Sequence, residues 1–397
     1  MSGILEGIKV LDFTRVISGP TATQYLADMG AEVIKVEPPK TGDVMRNIAP
    51  VKNGQSGFYI TLNRGKKGIT LDMKDPRGRE IALKLAERAD VLVENFSPGT
   101  MKDLGLDLEA VRERNPKIIY ASLSGYGQYG PNSGLVSYDL CIQAMCGLMQ
   151  MNGYPGMPPC RIGFSVTDYF AGMLIAMGVV AALYKREQTG KGEFIDVSMF
   201  DAGLAVTENA MTRFDMLGEI PSAIGSRHPA ASPHNVYKTK DGYIALIVIE
   251  DGGWKRLTEA MGKPELQKDP DLAKALNRLK QMDRLDKIVG EWTGAHTTAE
   301  LIPILNKYRL AYGVVKTAKD LVEDPHAIER GMVVKIYQTG YGPLRIPGNP
   351  IKFADDSNKA EVRGPAPLLG EHNKDVICGI LGYTENEFMK FIKDGVI

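Results

Sequence analysis

The chain of 397 residues is poor in cysteine, tryptophan and histidine, and it carries no excess charge of either sign. It holds four cysteines, two tryptophans and five histidines. Cys141, Cys146, Cys160 and Cys378 form no CxxC pair, and the Cys141/Cys146 spacing lies in a His-poor neighbourhood, so no metal site is expected. So few cysteines in so long a chain point to free thiols in a reducing compartment. His228, His234, His296, His326 and His372 show neither HExxH spacing nor a triad arrangement. Lysine plus arginine number 48 and aspartate plus glutamate number 48. That balance excludes a globally basic nucleic-acid binder but not a local cationic site. A long apolar run is also missing. The longest, Gly172–Tyr184, falls short of the ~20 residues of a membrane span and suits a buried core helix. Met1–Gly7 has no basic region followed by an apolar core, so no signal peptide is expected. The expected protein is cytoplasmic and binds neither nucleic acid nor membrane.

What is present is ordinary globular composition, with 44% hydrophobic and 24% charged residues. Glycine is the exception: 43 of 397 residues, about 11%, against a usual ~7%. Much of the chain is therefore turn, or backbone that something approaches closely. The length suggests roughly two or three domains.

The first third alternates between strand and helix. Strands are expected at Ile8–Phe13, Glu32–Glu37, Ile69–Met73, Val91–Asn95 and Lys117–Leu123, with helices at Thr21–Met29, Pro76–Ala89 and Leu108–Arg114. That rhythm means βαβ units and a parallel sheet. Helices are expected at Tyr138–Met149, Val166–Glu187 and Met199–Leu217, with a strand at Glu193–Val197. The loop-like Gly218–Pro233 leads to a hairpin, Val236–Thr239 with Tyr243–Val248, and to charged helices reaching about Tyr308. Glu265–Arg284 reads as a solvated surface. Strands return at Met332–Gln338 and within Gly340–Pro350, and helices at His372–Leu381 and Thr384–Lys393 close the chain.

Among motifs, Gly125-Tyr126-Gly127-Gln128-Tyr129-Gly130 matches GxGxxG after a strand. Pro131 to Gly134 follow, so no helix starts where a dinucleotide pyrophosphate would need one. Asp168 has two readings. Ser165 and Asp168 stand at capping-box spacing, so Asp168 could simply cap the long helix that follows. The same first-turn position favours an ionised carboxylate, as a nucleophile requires, and Gly163 and Gly172 would permit close substrate approach. Lys74 after the third strand, and Asn95-Phe96-Ser97-Pro98-Gly99 after the fourth, lie at strand carboxyl ends, where open parallel sheets bind ligands. Lys74 could serve phosphate or be a solvated turn, and Asn95 could cap a turn. The Met145, Met149, Met151 and Met157 stretch reads as flexible packing.

Several segments together resemble the family III CoA-transferases, which include formyl-CoA transferase and the carnitine and bile-acid CoA-transferases. They are Gly7–Pro20 (GIKVLDFTRVISGP), Gly30–Pro38 (GAEVIKVEP), Val93–Gly99 (VENFSPG), Ser124–Pro131 (SGYGQYGP) and Tyr138-Asp139. Asp168, Thr189–Val197 (TGKGEFIDV), Arg227-His228-Pro229 and Gly364–Asn373 (GPAPLLGEHN) complete the set. The resemblance implies an α/β fold: a discontinuous Rossmann-like parallel-sheet large domain, 1–220 with 330–397, a smaller α/β domain, 225–325, and an interlocked homodimer. It implies that Asp168 attacks an acyl-CoA, giving a mixed anhydride and CoA thiolate, which returns to form an aspartyl-CoA thioester that an acceptor carboxylic acid then resolves. Val16, Ile17, Ser18, Leu71, Lys74, Asn95, Phe96, Ser97, Tyr138 and Asp139 would line the CoA and acyl site. Backbone N–H groups would hold the oxyanions. Coenzyme A thioester is a substrate on this reading, and no cofactor is bound permanently.

Formyl-CoA transferases carry glutamine where this chain has Ile17, a run of glycines where it has Ser226–Pro233, and arginines near Pro38 and Asp103. The formyl-CoA/oxalate pair is therefore in question, with Lys102 or Arg15 as candidate replacement cations. The related α-methylacyl-CoA racemases place a histidine base where this chain has Tyr138, and a tyrosine of pKa near ~10 is a poor base at neutral pH. Transferase is therefore favoured over racemase, and the intact Asp168 favours it over a CoA-binding protein without chemistry.

Overall fold

In a computed structural model, residues 3–355 and 359–397 are described; Met1 and Ser2 of the N-terminal segment lie outside them. The chain forms two compact units. One comprises 1–148, 161–209 and 324–397, the other 149–160 and 210–323.

The first unit begins β1 (Lys9–Asp12), α1 (Ser18–Asp28), β2 (Glu32–Glu37), the short pair β3 (Val51–Lys52) and β4 (Gln55–Ser56), α2 (Gly57–Asn63) and β5 (Lys67–Thr70). It continues α3 (Pro76–Arg88), β6 (Val91–Glu94), α4 (Thr100–Asp103), α5 (Leu108–Arg114), β7 (Ile119–Ser124) and α6 (Asp139–Met145). After α7 (Leu148–Met151), all but its first residue in the second unit, come α8 (Val166–Thr189), β8 (Glu193–Ser198) and α9 (Met199–Ala205). Six strands make one sheet in the order β5-β2-β1-β6-β7-β8, and every neighbouring pair is parallel. The order reverses at β1: the chain runs outward to β5, returns, and continues beyond β6. Such a switch point leaves a crevice at the carboxyl ends of the two central strands.

Local chemistry sets these elements. Strands buried on both faces read as near-continuous apolar runs, as Val91–Val93 does. Asp75 caps α3 through the Arg77 N–H with Pro76 in its first turn, and Asp107 caps α5 through the Ala110 N–H. The third sheet strand ends at Thr70, not at Met73 as expected, because the Asp72 carboxylate accepts the Lys74 N–H at 2.9 Å and turns the chain. One face of the sheet packs Leu11, Ile34, Ile69 and Leu92 against Ile81 and Leu85 of α3 and against Phe388 and Phe391 near the C-terminus. The edge strand β5 is covered where Thr70 N–H donates to Asn373 and His372 N–H donates to the Gly68 carbonyl.

In the second unit lie α10 (Ala210–Leu217), β9 (His234–Lys238), β10 (Tyr243–Ile247), α11 (Asp251–Ala260), α12 (Ala275–Leu279), α13 (Met282–Gly294), α14 (Thr298–Lys307), β11 (Ala311–Val314) and α15 (Ala318–Val322). An antiparallel sheet, β11-β10-β9, packs with Trp254, Leu285, Val289, Trp292 and Leu301 in one core. In the first unit again, α16 (Pro325–Glu329), the hairpin β12 (Val333–Gln338) and β13 (Gly342–Pro347), and α17 (Glu385–Asp394) end the chain.

Further expectations change, among them the helix at Tyr138–Met149, which is two, Asp139–Met145 and Leu148–Met151. The helix expected over Met199–Leu217 is two helices, because the chain turns at Glu208, whose φ is +51°. Glu265–Arg284 is not all solvated: Arg278 is fully buried and donates to the Ser232 and Leu272 carbonyls and to Asp251. The helix expected at His372–Leu381 is a wide, π-type stretch, Asp375–Ile380.

The helix α8 has 24 residues, longer than its apolar stretch suggests, and is long and apolar enough to cross a membrane; half of its apolar window is buried within the protein. Its partner is α1. At Gly172 the two backbones nearly touch, since an added Cβ would stand 2.5 Å from the Ser18 carbonyl oxygen and 2.9 Å from Thr21 Cβ. Gly172 therefore serves helix–helix approach and not the substrate approach expected of it, while Gly163 faces open space. Gly172→Ala should cost about 1–3 kcal/mol in denaturant unfolding, because the helices must separate, whereas Gly163→Ala should leave unfolding near wild type.

Candidate active site

A cleft of about 340 Å³ opens at the switch point. Its walls come from the loop after β1 (Arg15, Val16, Ser18), the loop after β6 (Asn95 to Pro98), the end of β7 with Ser133 to Tyr138, and Asp168 in the first turn of α8.

Asp168 is 8% exposed. The capping box considered for it is absent: Ser165 is the N-cap residue of α8 and makes no side-chain capping bond. Asp139 serves the helix end instead. Its Oδ1 accepts the Thr167 N–H at 3.0 Å and the Thr167 hydroxyl at 2.8 Å, and its Oδ2 accepts Gln143 Nε2 at 2.6 Å. Gln143 Oε1 in turn accepts the Ile162 N–H at 2.8 Å. Two helix starts are thus laced together, and Asp168 is left free to face the cleft.

The expectation that Asp168 stays fully ionised is corrected. Burial, and next the negative charge of Asp139, push its carboxyl from the ordinary 3.8 up to about 7; the Ser18 hydroxyl and backbone N–H act against them. A first-turn position is worth only a fraction of what removal from water costs a carboxylate. The donors at Ser18 belong to the start of α1. Its N-cap residue, Ile17, supplies no side-chain bond, and Pro20 has no N–H, so the Ser18 and Gly19 N–H groups lack helical partners.

The structure brings together Val16, Ser18, Asn95, Phe96, Ser97, Tyr138 and Asp168 on the cleft wall. It does not bring the other four there. Ile17 is buried beside Met45 and Tyr59. Leu71 is in the sheet core. Lys74 is an exposed turn residue after the edge strand. Asp139 is buried behind the wall. Asn95 is more than a turn cap: its Oδ1 accepts the Arg15 N–H at 2.8 Å, and its Nδ2 donates to the Arg15 carbonyl at 2.8 Å and to Ser18 Oγ at 3.2 Å. The Arg15 guanidinium lies over the Phe96 ring, 4.9 Å from its centroid.

Sequence reasoning missed Gln143 and Glu94. Glu94 is 3% exposed and accepts the Phe96 N–H at 2.8 Å. Burial pushes its carboxyl up to about 7, Ser122 and the Phe96 N–H pull it down, and the charge of Asp196 adds to the rise. An acid at the last position of a buried strand was the available signal. In the GxGxxG stretch the helix is missing, as expected; Ser124 Oγ accepts the Gly127 N–H and Asp196 accepts the Gln128 N–H. Among the described residues no cluster of three metal-ligating side chains occurs.

Residues 5–373 match the description of CoA-transferase family III. The chain is 37% identical over 370 residues to the acetyl-CoA:oxalate CoA-transferase of Acetobacter aceti, covering 93% of this chain and 94% of that one. It is 36% identical over 388 residues to the succinyl-CoA:mesaconate CoA-transferase of Haloarcula hispanica, covering 94% and 96%. A crystal structure of a CAIB/BAIF family protein from Brucella suis superposes with a TM-score of 0.85 at 33% identity, covering 96% of this chain and all of that one. The chain belongs to CoA-transferase family III and is an enzyme of that class, one that uses CoA thioesters as substrates.

The raised pKa of Asp168 has a sign that stability can test. The folded state holds the proton more tightly than the unfolded chain, so the contribution is fully present below about pH 4 and is lost as pH rises through 7. Asp168→Asn mimics the neutral form. Its melting temperature should exceed that of the wild type at pH 8, and the gain should shrink as pH falls from 7 towards 4.

Proposed function

We propose that the chain moves CoA from an acyl-CoA to an acceptor carboxylic acid with Asp168 as nucleophile. The observation that supports this most is a desolvated carboxylate on the wall of the switch-point cleft, facing the start of α1, where the Ser18 hydroxyl and N–H bond it. Desolvation makes Asp168 more basic, and near pH 7 it is split between ionised and neutral forms. The ionised form attacks the thioester carbonyl; the C–S bond breaks, CoA leaves as thiolate, and a mixed anhydride remains. The thiolate then attacks the aspartyl carbonyl, expels the donor acid and leaves an aspartyl-CoA thioester. The acceptor carboxylate repeats both steps in reverse. The Ser18 N–H, which already bonds Asp168, is a donor for the oxyanions formed there.

The acids in the names of the two relatives, oxalate and mesaconate, are both dicarboxylic, so a dicarboxylic acceptor is proposed, with acetyl-CoA and succinyl-CoA as the first donors to try. Ile17 supplies no polar group to the cleft. Lys74, exposed outside the cleft, would meet the nucleotide end of CoA, while Leu71 is enclosed in the sheet core. We further propose that the two compact units act as the large and small domains, that two chains form an interlocked homodimer, and that the enzyme works in the cytoplasm. Exposed Met173, Met177 and Tyr184 on α8 suit a covering partner.

Hydroxylamine with acyl-CoA should trap or cleave the acyl-enzyme at Asp168, and Asp168→Asn should lose transfer by about 1,000-fold or more while keeping CoA binding. No adduct at Asp168, or full activity in the variant, ends the nucleophile assignment. Acceptor-independent deuterium uptake at the substrate α-carbon would mark a racemase instead.

A further inference from the structure

Two positions before Ser18 a β-branched residue takes a left-handed backbone: Val16 has φ +66°. Side chains with two branches at Cβ avoid this region most, and such a conformation persists only where its surroundings over-determine it. Here three side chains grip three consecutive residues. Lys35 Nζ, on β2, donates to the Thr14 carbonyl at 2.6 Å. Asn95, after β6, holds the N–H and the carbonyl of Arg15. Asp43, in the turn after β2, accepts the Val16 N–H on Oδ1 at 3.3 Å.

Asp43 is itself fixed. It is 4% exposed. Its Oδ2 lies 3.2 Å from Lys35 Nζ, Oδ1 also accepts the Met45 N–H at 3.0 Å, and its own N–H donates to Glu37 at 2.8 Å. Burial pulls the Lys35 pKa down, but Asp12, Asp43 and Glu37 together raise it above the ordinary lysine value. One buried ammonium therefore anchors both Thr14 and Asp43. Beyond Val16 the chain enters α1 without a side-chain cap, and Gly19 packs so tightly on Thr14 and Asn95 that a Cβ would clash. Where Val16 turns decides where the Ser18 N–H points.

We infer that Asp43 is a positioning residue for CoA transfer: with Lys35 as its counter-ion, it holds Val16 in the left-handed turn that aims the Ser18 N–H at Asp168. This rests on Asp168 being the nucleophile. Asp43 touches neither substrate nor Asp168 and acts through the turn.

Steady-state transfer is measured for Asp43→Ala and Asp43→Asn, each alone and combined with Val16→Gly. Asp43→Ala should lower kcat on the order of 100-fold, the cost of a misplaced donor, with KM for the acyl-CoA moving less than about threefold. Asp43→Asn keeps an acceptor oxygen and should recover most of the loss. Glycine adopts the left-handed region without steric cost. In the Val16→Gly background, therefore, Asp43→Ala should lose less than about fivefold relative to its own parent. Equal losses in both backgrounds, or a raised KM with kcat intact, would overturn the inference. Should Asp43→Ala not fold, Asp43→Ser, too short to replace the bond to the Val16 N–H, carries the same comparison. Absence of transfer in the wild type would sink the nucleophile reading alone. The turn is then still tested by melting: Val16→Gly must raise the melting temperature of the Asp43 variant more than that of the wild type, and an equal shift overturns the inference.

Discussion

The buried carboxylate of Asp168, between the start of α1 and the negative charge of Asp139, is the constraint around which the first unit is arranged. Removal from water raises its pKa, Asp139 raises it further, and Ser18 opposes both. Each influence arrives on a different element. Asp139 belongs to α6 and is fixed by its bonds to Thr167 and Gln143. Ser18 starts α1, whose approach to α8 is made possible by Gly172. Asn95 joins Ser18 and Arg15 to the end of β6. A carboxylate in this setting is a better base than an exposed one, and its ionised form lacks competing cations: within the cleft lining Arg15 is the single basic side chain among the described residues.

The sheet accounts for why these parts meet. The order β5-β2-β1-β6-β7-β8 puts the reversal between β1 and β6, so the loops leaving those two strands diverge and leave space at their carboxyl ends. The buried charges below the loops stiffen them. Asp12 accepts from Thr14 and pairs with Lys66 at 3.0 Å, and Lys35 and Asp43 continue the cluster towards Val16. Removing one partner from such a cluster leaves an unpaired buried charge, so its members tolerate little change.

Much of this was legible in the sequence. The strand at Glu32–Glu37 and the helix at Leu108–Arg114 stand where periodicity puts them, since a strand buried on both faces and a helix with an Asp cap carry their own signals. Val16, Ser18, Asn95, Phe96, Ser97, Tyr138 and Asp168 share the cleft wall. What was illegible depends on tertiary burial. First-turn placement argued for an ionised Asp168, but desolvation, which no local pattern reports, dominates. Ser165 and Asp168 had the spacing of a capping box, yet Asp139, 28 positions before Thr167, supplies the cap from another helix; such a long-range bond leaves no local trace. Leu71 and Lys74 follow a strand that lies at the sheet edge, two strands from the reversal, and strand order cannot be read from alternation alone.

The proposed reaction passes oxygen atoms through Asp168. When the acceptor carboxylate attacks the aspartyl-CoA thioester, its attacking oxygen becomes the bridge of the new anhydride. Thiolate attack on the acceptor's acyl carbon then leaves that oxygen on the aspartate. One turnover with an acceptor acid carrying the heavy oxygen isotope in its carboxylate, followed by peptide mass analysis, tests this directly. The account predicts heavy oxygen on Asp168 and on no other carboxylate. Product formed with Asp168 unlabelled would contradict it.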